Sequence, residues 1–231
     1  MKSYIITIKK NQISEVAAAV CKESHLKVGN EFEFKSFDAI TPVDVPEVME
    51  TYGIKWTYPW NNPELDMKTG LKLNPYHTKD KNKRIACFLS HYALWCLSVA
   101  TNEPIIVLEH DAVWVRKFDP TEVLESNYGV VGLNNPLYAT RCADLFDRQI
   151  EWKKESIQPI PTVDEAYIPQ GLAGNSAYLI KPWAAKKIID TVSDIGAWPN
   201  DALMCKQLFP FLGVTKKYYT RVQRTQSTTT V

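Results

Sequence analysis

Apolar positions along this chain follow two rhythms in turn, one of period two and one of period three to four, and together they outline a mixed α/β protein. Tyr4 to Ile8 is a short β-branched run that predicts a buried strand. Ser14 to Cys21 follows as a helix, with Ser14 as its N-cap and Ala17, Ala18 and Ala19 favouring the helical state. Glu31 to Phe37 alternates charged and aromatic residues, the period of a half-buried strand. The broadest helical stripe lies in Ala86 to Ala100, where Phe88, Tyr92, Trp95, Cys96 and Val99 recur at three- and four-residue spacings before Asn102-Glu103-Pro104 stops the element. Ile105 to Leu108 is apolar throughout, as a buried parallel strand requires. Further strands are predicted at Tyr128 to Leu133 and Ala177 to Ile180, a helix from Pro182 to about Val192, and a short helix over Leu203 to Leu208. Strand, helix, strand from the first residues onward is the opening of a Rossmann-type α/β sheet flanked by helices.

Two stretches lack either rhythm. Residues 41–83 contain Pro42, Pro46, Pro59, Pro63 and Pro75 with Trp56, Tyr58, Trp60 and Tyr76 between them. A loop of that length is either an aromatic-pinned surface excursion or a substrate-binding loop. Residues 213–231 read as a polar C-terminal tail, and Gln223 to Val231 holds five Ser/Thr residues. No linker divides residues 1–231, so a single domain is expected.

Charge and cysteine content narrow the setting. With 27 Lys+Arg against 26 Asp+Glu among 231 residues, the net charge of +1 provides no bulk pull toward nucleic acid. The five cysteines are scattered and odd in number, without a C-x-x-C pair, which points to reduced thiols rather than a disulfide framework or a zinc site. No run approaches the roughly 20 apolar residues of a membrane span, and Met1 to Ile8 lacks the features of a signal peptide. A cytoplasmic protein without an obligate protein partner is expected.

Candidate chemistry gathers at a few points. Glu109-His110-Asp111 directly follows the apolar run 105–108, which sets two carboxylates at the carboxyl edge of the sheet, where ligands of open α/β sheets bind. Hard oxygen ligands there suit Mg²⁺ or Mn²⁺; a solvated strand-to-loop turn is the alternative. Ser90 and His91 form a polar pair in an otherwise apolar helix, and Arg84 lies near its start, where its charge opposes the macrodipole unless an anion is close. Asp201 follows Trp198-Pro199-Asn200 and is either a helix cap or a loop carboxylate able to act as a general base. Lys79, Lys81, Lys83 and Arg84 make one basic cluster, and Lys216, Lys217, Arg221 and Arg224 with Tyr218 and Tyr219 make another, each a solvated face or a polyanion patch. P-loop, nucleophile-elbow, zincin and G-x-G-x-x-G motifs are absent.

Taken in order, these segments resemble glycosyltransferase family 25, the lipopolysaccharide and collagen-type sugar transferases of GT-A fold. Phe37-Asp38-Ala39-Ile40-Thr41 is similar to the family's F-x-A-x-[DT] segment. Arg84 to Trp95 resembles its G-C-x-x-S-H-x-x-x-W helix with Ala86 in place of Gly, and Pro104 to Ala112 resembles I-x-x-L-E-D-D-A with His110 in place of the middle acid. Gly171 to Ile189 resembles G-x-x-A-Y-L-I-x-x-x-A-x-x-[IL], and Pro199 to Asp201 the following P-x-D. The resemblance implies a GT-A-like sheet and a nucleotide-sugar-dependent transferase using a UDP-sugar and Mn²⁺ or Mg²⁺. It implies Glu109, His110 and Asp111 at the metal and diphosphate, and Ile6, Thr7, Asp38, Arg84, Ser90 and His91 around the nucleotide. Asp201 is the implied base by analogy, acting with Asp111. Gly53 to Thr57, Thr69 to Lys72, Asn74 to Tyr76 and Leu108 to Ala112 also resemble short family 25 relatives of tailed bacteriophages. That likeness implies transfer of glucose or arabinose to 5-hydroxymethylcytosine in double-stranded phage DNA, in the host cytoplasm, with Lys216, Lys217, Arg221 and Arg224 as DNA contacts. The rival acceptor is a lipopolysaccharide or other oligosaccharide; a non-catalytic nucleotide-sugar or DNA-binding module is the rival class.

Overall fold

The computed structural model describes residues 1–140 and 142–223. Its elements begin with β1 (Lys2–Thr7), α1 (Gln12–Lys27), β2 (Glu33–Asp38), α2 (Val45–Tyr52), β3 (Glu64–Leu65) and β4 (Lys72–Leu73). The middle of the chain forms α3 (Lys81–Thr101), β5 (Ile105–Glu109), β6 (Ala112–Trp114), α4 (Thr121–Glu125), β7 (Val130–Gly132) and α5 (Ala143–Trp152). Then come β8 (Ile157–Pro159), β9 (Ala177–Ile180), α6 (Pro182–Ile195), α7 (Asn200–Leu203), β10 (Leu212–Thr215) and β11 (Thr220–Val222).

Seven strands form the central sheet in the order β2-β1-β5-β9-β7-β10-β8. β1 runs parallel to β2 and β5, and β10 parallel to β7, whereas β9 is antiparallel to both β5 and β7 and β8 antiparallel to β10. The expected α/β class holds. The unbroken apolar run at 105–108 has its cause in double coverage: Ile105 and Val107 enter one core with α3 and α6, and Ile106 and Leu108 enter a second core on the other face with α1 and Trp114 of β6. Strand β9 alternates in the same way, Tyr178 and Ile180 against Ala177 and Leu179.

Helix α3 starts about one turn earlier than its apolar stripe, because Asp80 caps it by accepting a hydrogen bond from the Asn82 N–H at 2.9 Å. It stops at Asn102, whose left-handed φ of 52° is a C-cap conformation that Asn tolerates. Helix α6 buries Ala184, Ala185, Ile188, Val192 and Ile195 as one stripe and packs on α3. Gly196, at φ +92°, ends it where a Cβ would come within 2.4 Å of Thr57, so both conformation and space demand glycine.

Four local expectations need correction. Asn11, not Ser14, caps α1: its side chain accepts from the Ser14 N–H at 3.0 Å, while buried Ser14 accepts from the Ile8 N–H at 2.8 Å. The short helix expected at 203–208 is instead α7 at Asn200–Leu203, since Pro199 presets its first turn. Residues 41–83 are not structureless, because α2 begins after Asp44 with Pro46 in its first turn and ends at Gly53 in the left-handed region, and β3 and β4 pair as a hairpin. The polar tail is partly sheet. Buried β10 sits between β7 and β8, and β11 pairs with β6.

Candidate active site

A cleft of about 800 Å³ opens at the carboxyl ends of β1 and β5, bordered by the loop entering antiparallel β9 and by α7. The chain leaves β1 for β2 on one side and later returns as β5 on the other, so the cleft stands at the topological switch point. Its volume falls in the range of small-molecule sites. Ile6, Arg84, Ser90, His91, Glu109, His110, Asp111 and Asp201, spread over 195 positions of sequence by numbering, all line it. Thr7 and Asp38 do not. Thr7 is buried in β1, where its carbonyl accepts from the Ala39 N–H at 2.9 Å, and the Asp38 carboxylate is exposed and paired with Lys9. Of the 41–83 excursion, Thr41, Pro42 and Lys83 border the cleft. Its aromatic body packs elsewhere, with Thr57 bonded to the Ala197 carbonyl and Trp198, and Trp56 stacked on Trp60.

Ser90 and His91 hold the site together from below. The Ser90 hydroxyl donates to the Ala86 carbonyl at 2.8 Å and accepts from the Ile40 N–H at 2.9 Å, fastening the loop after β2 to α3. His91 Nδ1 lies 2.8 Å from the Tyr178 hydroxyl, and its Nε2 lies 3.0 Å from Glu109 Oε1. Trp95 Nε1 donates to the same Tyr178 oxygen at 2.8 Å. That bond leaves the phenol proton for His91 Nδ1, which puts the ring proton on Nε2 and directs it at the Glu109 carboxylate. Cys87 Sγ, His91 and Glu109 present ligand atoms within 4.8 Å of one another, yet an Nε2 engaged as a donor is not a metal ligand. The four-residue chain Trp95–Tyr178–His91–Glu109 therefore aims a carboxylate. Replacing Tyr178 by Phe strands two buried nitrogens at a cost of about 2–4 kcal/mol, and a thermal melt is expected to fall by several degrees. An unchanged melt would remove the chain from the forces that hold the site.

The charges are arranged unequally. Burial pushes the Glu109 carboxyl upward, but the hydrogen bond from His91, with the Arg84 guanidinium nearby, outweighs it and holds Glu109 below its ordinary range. Asp111 has no such partners, and burial together with Glu109 raises it to about 7. Asp201 faces the cleft and is raised by the protein packed around it and by Glu109. Burial lowers His110, which favours the neutral imidazole. Among the described residues, Asp111 Oδ1 and Arg84 Nε are buried without a hydrogen-bond partner, although Arg84 also rests on the Tyr76 ring at 4.9 Å. A bare carboxylate oxygen and a bare guanidinium nitrogen beside one cleft suit a cation and an anion respectively.

β11 explains how Asp111 is held. The Gln223 N–H donates to the Asp111 carbonyl at 2.9 Å, its side chain bonds the Ala17 carbonyl, and Val222 lines the cleft. Asp201 is in the first turn of α7 and accepts from Asn175 Nδ2 at 2.9 Å, a bond to another side chain instead of a helix cap. Asn175, Ser176, Tyr178 and Cys87 were not among the sequence candidates. The small polar residues Gly174-Asn175-Ser176 just before a buried strand were the available signal. In the second basic cluster, the Lys216 ammonium binds the Glu151 and Lys153 carbonyls at the end of α5, while Lys217 and Arg221 are exposed. None of these three lines the cleft, and Arg224 lies outside the described residues. All five cysteines are free thiols, and no described helix is long and apolar enough to cross a membrane.

Paired carboxylates lie at the switch point of a helix-flanked sheet, the position where α/β enzymes bind their ligands. The chain belongs to glycosyltransferase family 25: the family described as "Glycosyltransferase family 25 (LPS biosynthesis protein)" matches residues 1–204. It is thus a glycosyltransferase. Among solved structures it is similar to apo mouse xyloside xylosyltransferase 1, with a TM-score of 0.46 and 12% identity over 92% of this chain and 84% of that one. Comparison with curated protein sequences gave no match.

Proposed function

We propose that this protein transfers a sugar from a UDP-sugar to an acceptor hydroxyl, with the diphosphate held between Arg84 and the Glu109–Asp111 pair. The observation that carries this reading is the unpartnered Asp111 Oδ1, buried in the cleft beside a Glu109 carboxylate that His91 keeps aimed and ionised. This donor set fits Mg²⁺ or Mn²⁺, with the neutral imidazole of His110 as a further ligand acceptable to Mn²⁺. Such an ion, when bound, supplies positive charge against the departing diphosphate. Arg84 adds the charge of the protein itself. The residues at the ends of β1 and β2, among them Ile6, Ile8 and Ile40, offer an apolar wall for the nucleoside. Asp201 takes the acceptor proton, and a proton affinity raised by burial and by Glu109 favours that task.

For the acceptor we favour a carbohydrate hydroxyl over 5-hydroxymethylcytosine in DNA. The engagement of Lys216 with α5 leaves the second basic cluster short of one of its charges, and the net charge of +1 adds no general attraction to a phosphate backbone. The deciding experiment offers UDP-glucose, UDP-galactose and a UDP-pentose with Mn²⁺ to a panel of small glycosides and to duplex DNA containing 5-hydroxymethylcytosine, read by mass spectrometry. Mass gain on a glycoside is expected. Gain on digested nucleosides, lost on replacing Lys217 and Arg221 by Ala, would reverse the preference, and no gain on any acceptor would count against transfer.

A further inference from the structure

Asn175 occupies a position that the chemistry above leaves unexplained. It precedes β9 by two residues, is 4% exposed and lines the cleft. Its Nδ2 donates to Asp201 Oδ1 at 2.9 Å. An ionised carboxylate only accepts, so the amide must present its N–H there and turn its carbonyl oxygen away. That Oδ1 is buried with no hydrogen-bond partner among the described residues, and so is the hydroxyl of neighbouring Ser176, which is 3% exposed and lines the same cleft. Buried acceptors are nearly always satisfied, so two adjacent orphans at a cavity wall call for a donor that arrives with a ligand.

The strand order indicates which part of the ligand this is. β1, β5 and β9 are consecutive in the sheet, and strands are spaced about 4.8 Å apart. The end of β1 therefore lies about 10 Å from the entrance to β9, with Glu109 between them at the end of β5. A nucleoside diphosphate sugar is linear in the same sense: nucleoside, diphosphate, sugar. With the nucleoside over β1 and the diphosphate at β5, the sugar ring falls over Asn175 and Ser176, beside the Asp201 carboxylate.

We propose that Asn175 is a specificity-determining residue, accepting at Oδ1 a hydrogen bond from one hydroxyl of the donor sugar while its amide N–H holds Asp201. The proposal rests on the transferase reading above. It predicts a difference between substrates, which a purely structural contact to Asp201 does not. The test takes whichever of UDP-glucose, UDP-galactose and UDP-N-acetylglucosamine the wild type turns over fastest and compares kcat/KM for that donor and its monodeoxy analogues, in wild type and in Asn175→Ala. Wild type is expected to lose about 10- to 100-fold on one analogue, whereas Asn175→Ala treats that analogue and the parent alike. UDP itself, lacking the sugar, reports that the variant is folded by binding both proteins equally; Asn175→Ser replaces the alanine variant if it fails that check. A uniform loss on every donor, with the wild-type ratios preserved, would overturn the proposal and leave Asn175 as a support for Asp201. Wild type that neither binds UDP nor turns over any donor would overturn the transferase reading and this proposal with it.

Discussion

On the proposed reading, Asp111→Asn is expected to lower transfer by at least about 10³-fold, because the variant retains the shape of the side chain but loses the charge that a divalent cation would require, and such a cation would stabilise the transition state by several kcal/mol. The same substitution is expected to stabilise the metal-free protein at alkaline pH. Burial and the neighbouring Glu109 raise the Asp111 carboxyl in the fold to about 7, against an ordinary value of 3.8. A carboxyl raised by folding binds more protons in the native state, so its contribution to stability falls as pH rises from about 4 through 7. At pH 8 the ionised group therefore costs the fold on the order of a few kcal/mol, which Asn removes. The melting temperature of Asp111→Asn should exceed that of wild type by several degrees at pH 8 and match it near pH 4, with chelator present throughout. A variant that loses activity and stability together at pH 8 would mean that Asp111 is a structural group.

Asp201→Asn carries the second large effect. Removing a general base costs typically about 10²- to 10⁴-fold in turnover, and the change should fall on kcat, with the apparent affinity for the nucleotide sugar nearly unaltered. Steady-state kinetics with the donor varied at saturating acceptor distinguishes the outcomes. A loss confined to the donor KM would move Asp201 from proton transfer to donor binding.

Much of this site could be read from the chain because its parts lie on elements with strong periodicity. The apolar run 105–108 is buried on both faces, so its end, and with it Glu109 to Asp111, could be placed at the sheet edge before any coordinates. The stripe of α3 likewise placed Ser90 and His91. The role of His91 could not be foreseen, since its partners Tyr178 and Glu109 stand 87 and 18 residues away. Thr7 and Asp38 were implied by the family resemblance, but the alternation of side chains at the ends of β1 and β2 turns them from the cleft. Strands β10 and β11 escaped notice because each is three or four residues long and contains Gly213, Thr215, Thr220 or Arg221 in place of an apolar run. Gly213 is required there, as a Cβ would meet the Tyr128 ring at 2.7 Å. Asn175 was passed over for a related reason: only the packing of the loop before β9 against α7 brings it to Asp201.

Isothermal titration of UDP into the wild-type protein, in Mn²⁺ and again in chelator, tests most directly whether the Glu109–Asp111 cleft is a metal-assisted nucleotide-sugar site. Binding is expected in Mn²⁺, weakened at least about tenfold by chelator and equally weak in Asp111→Asn under both conditions. UDP affinity that is the same with and without Mn²⁺, in wild type and variant alike, would contradict it.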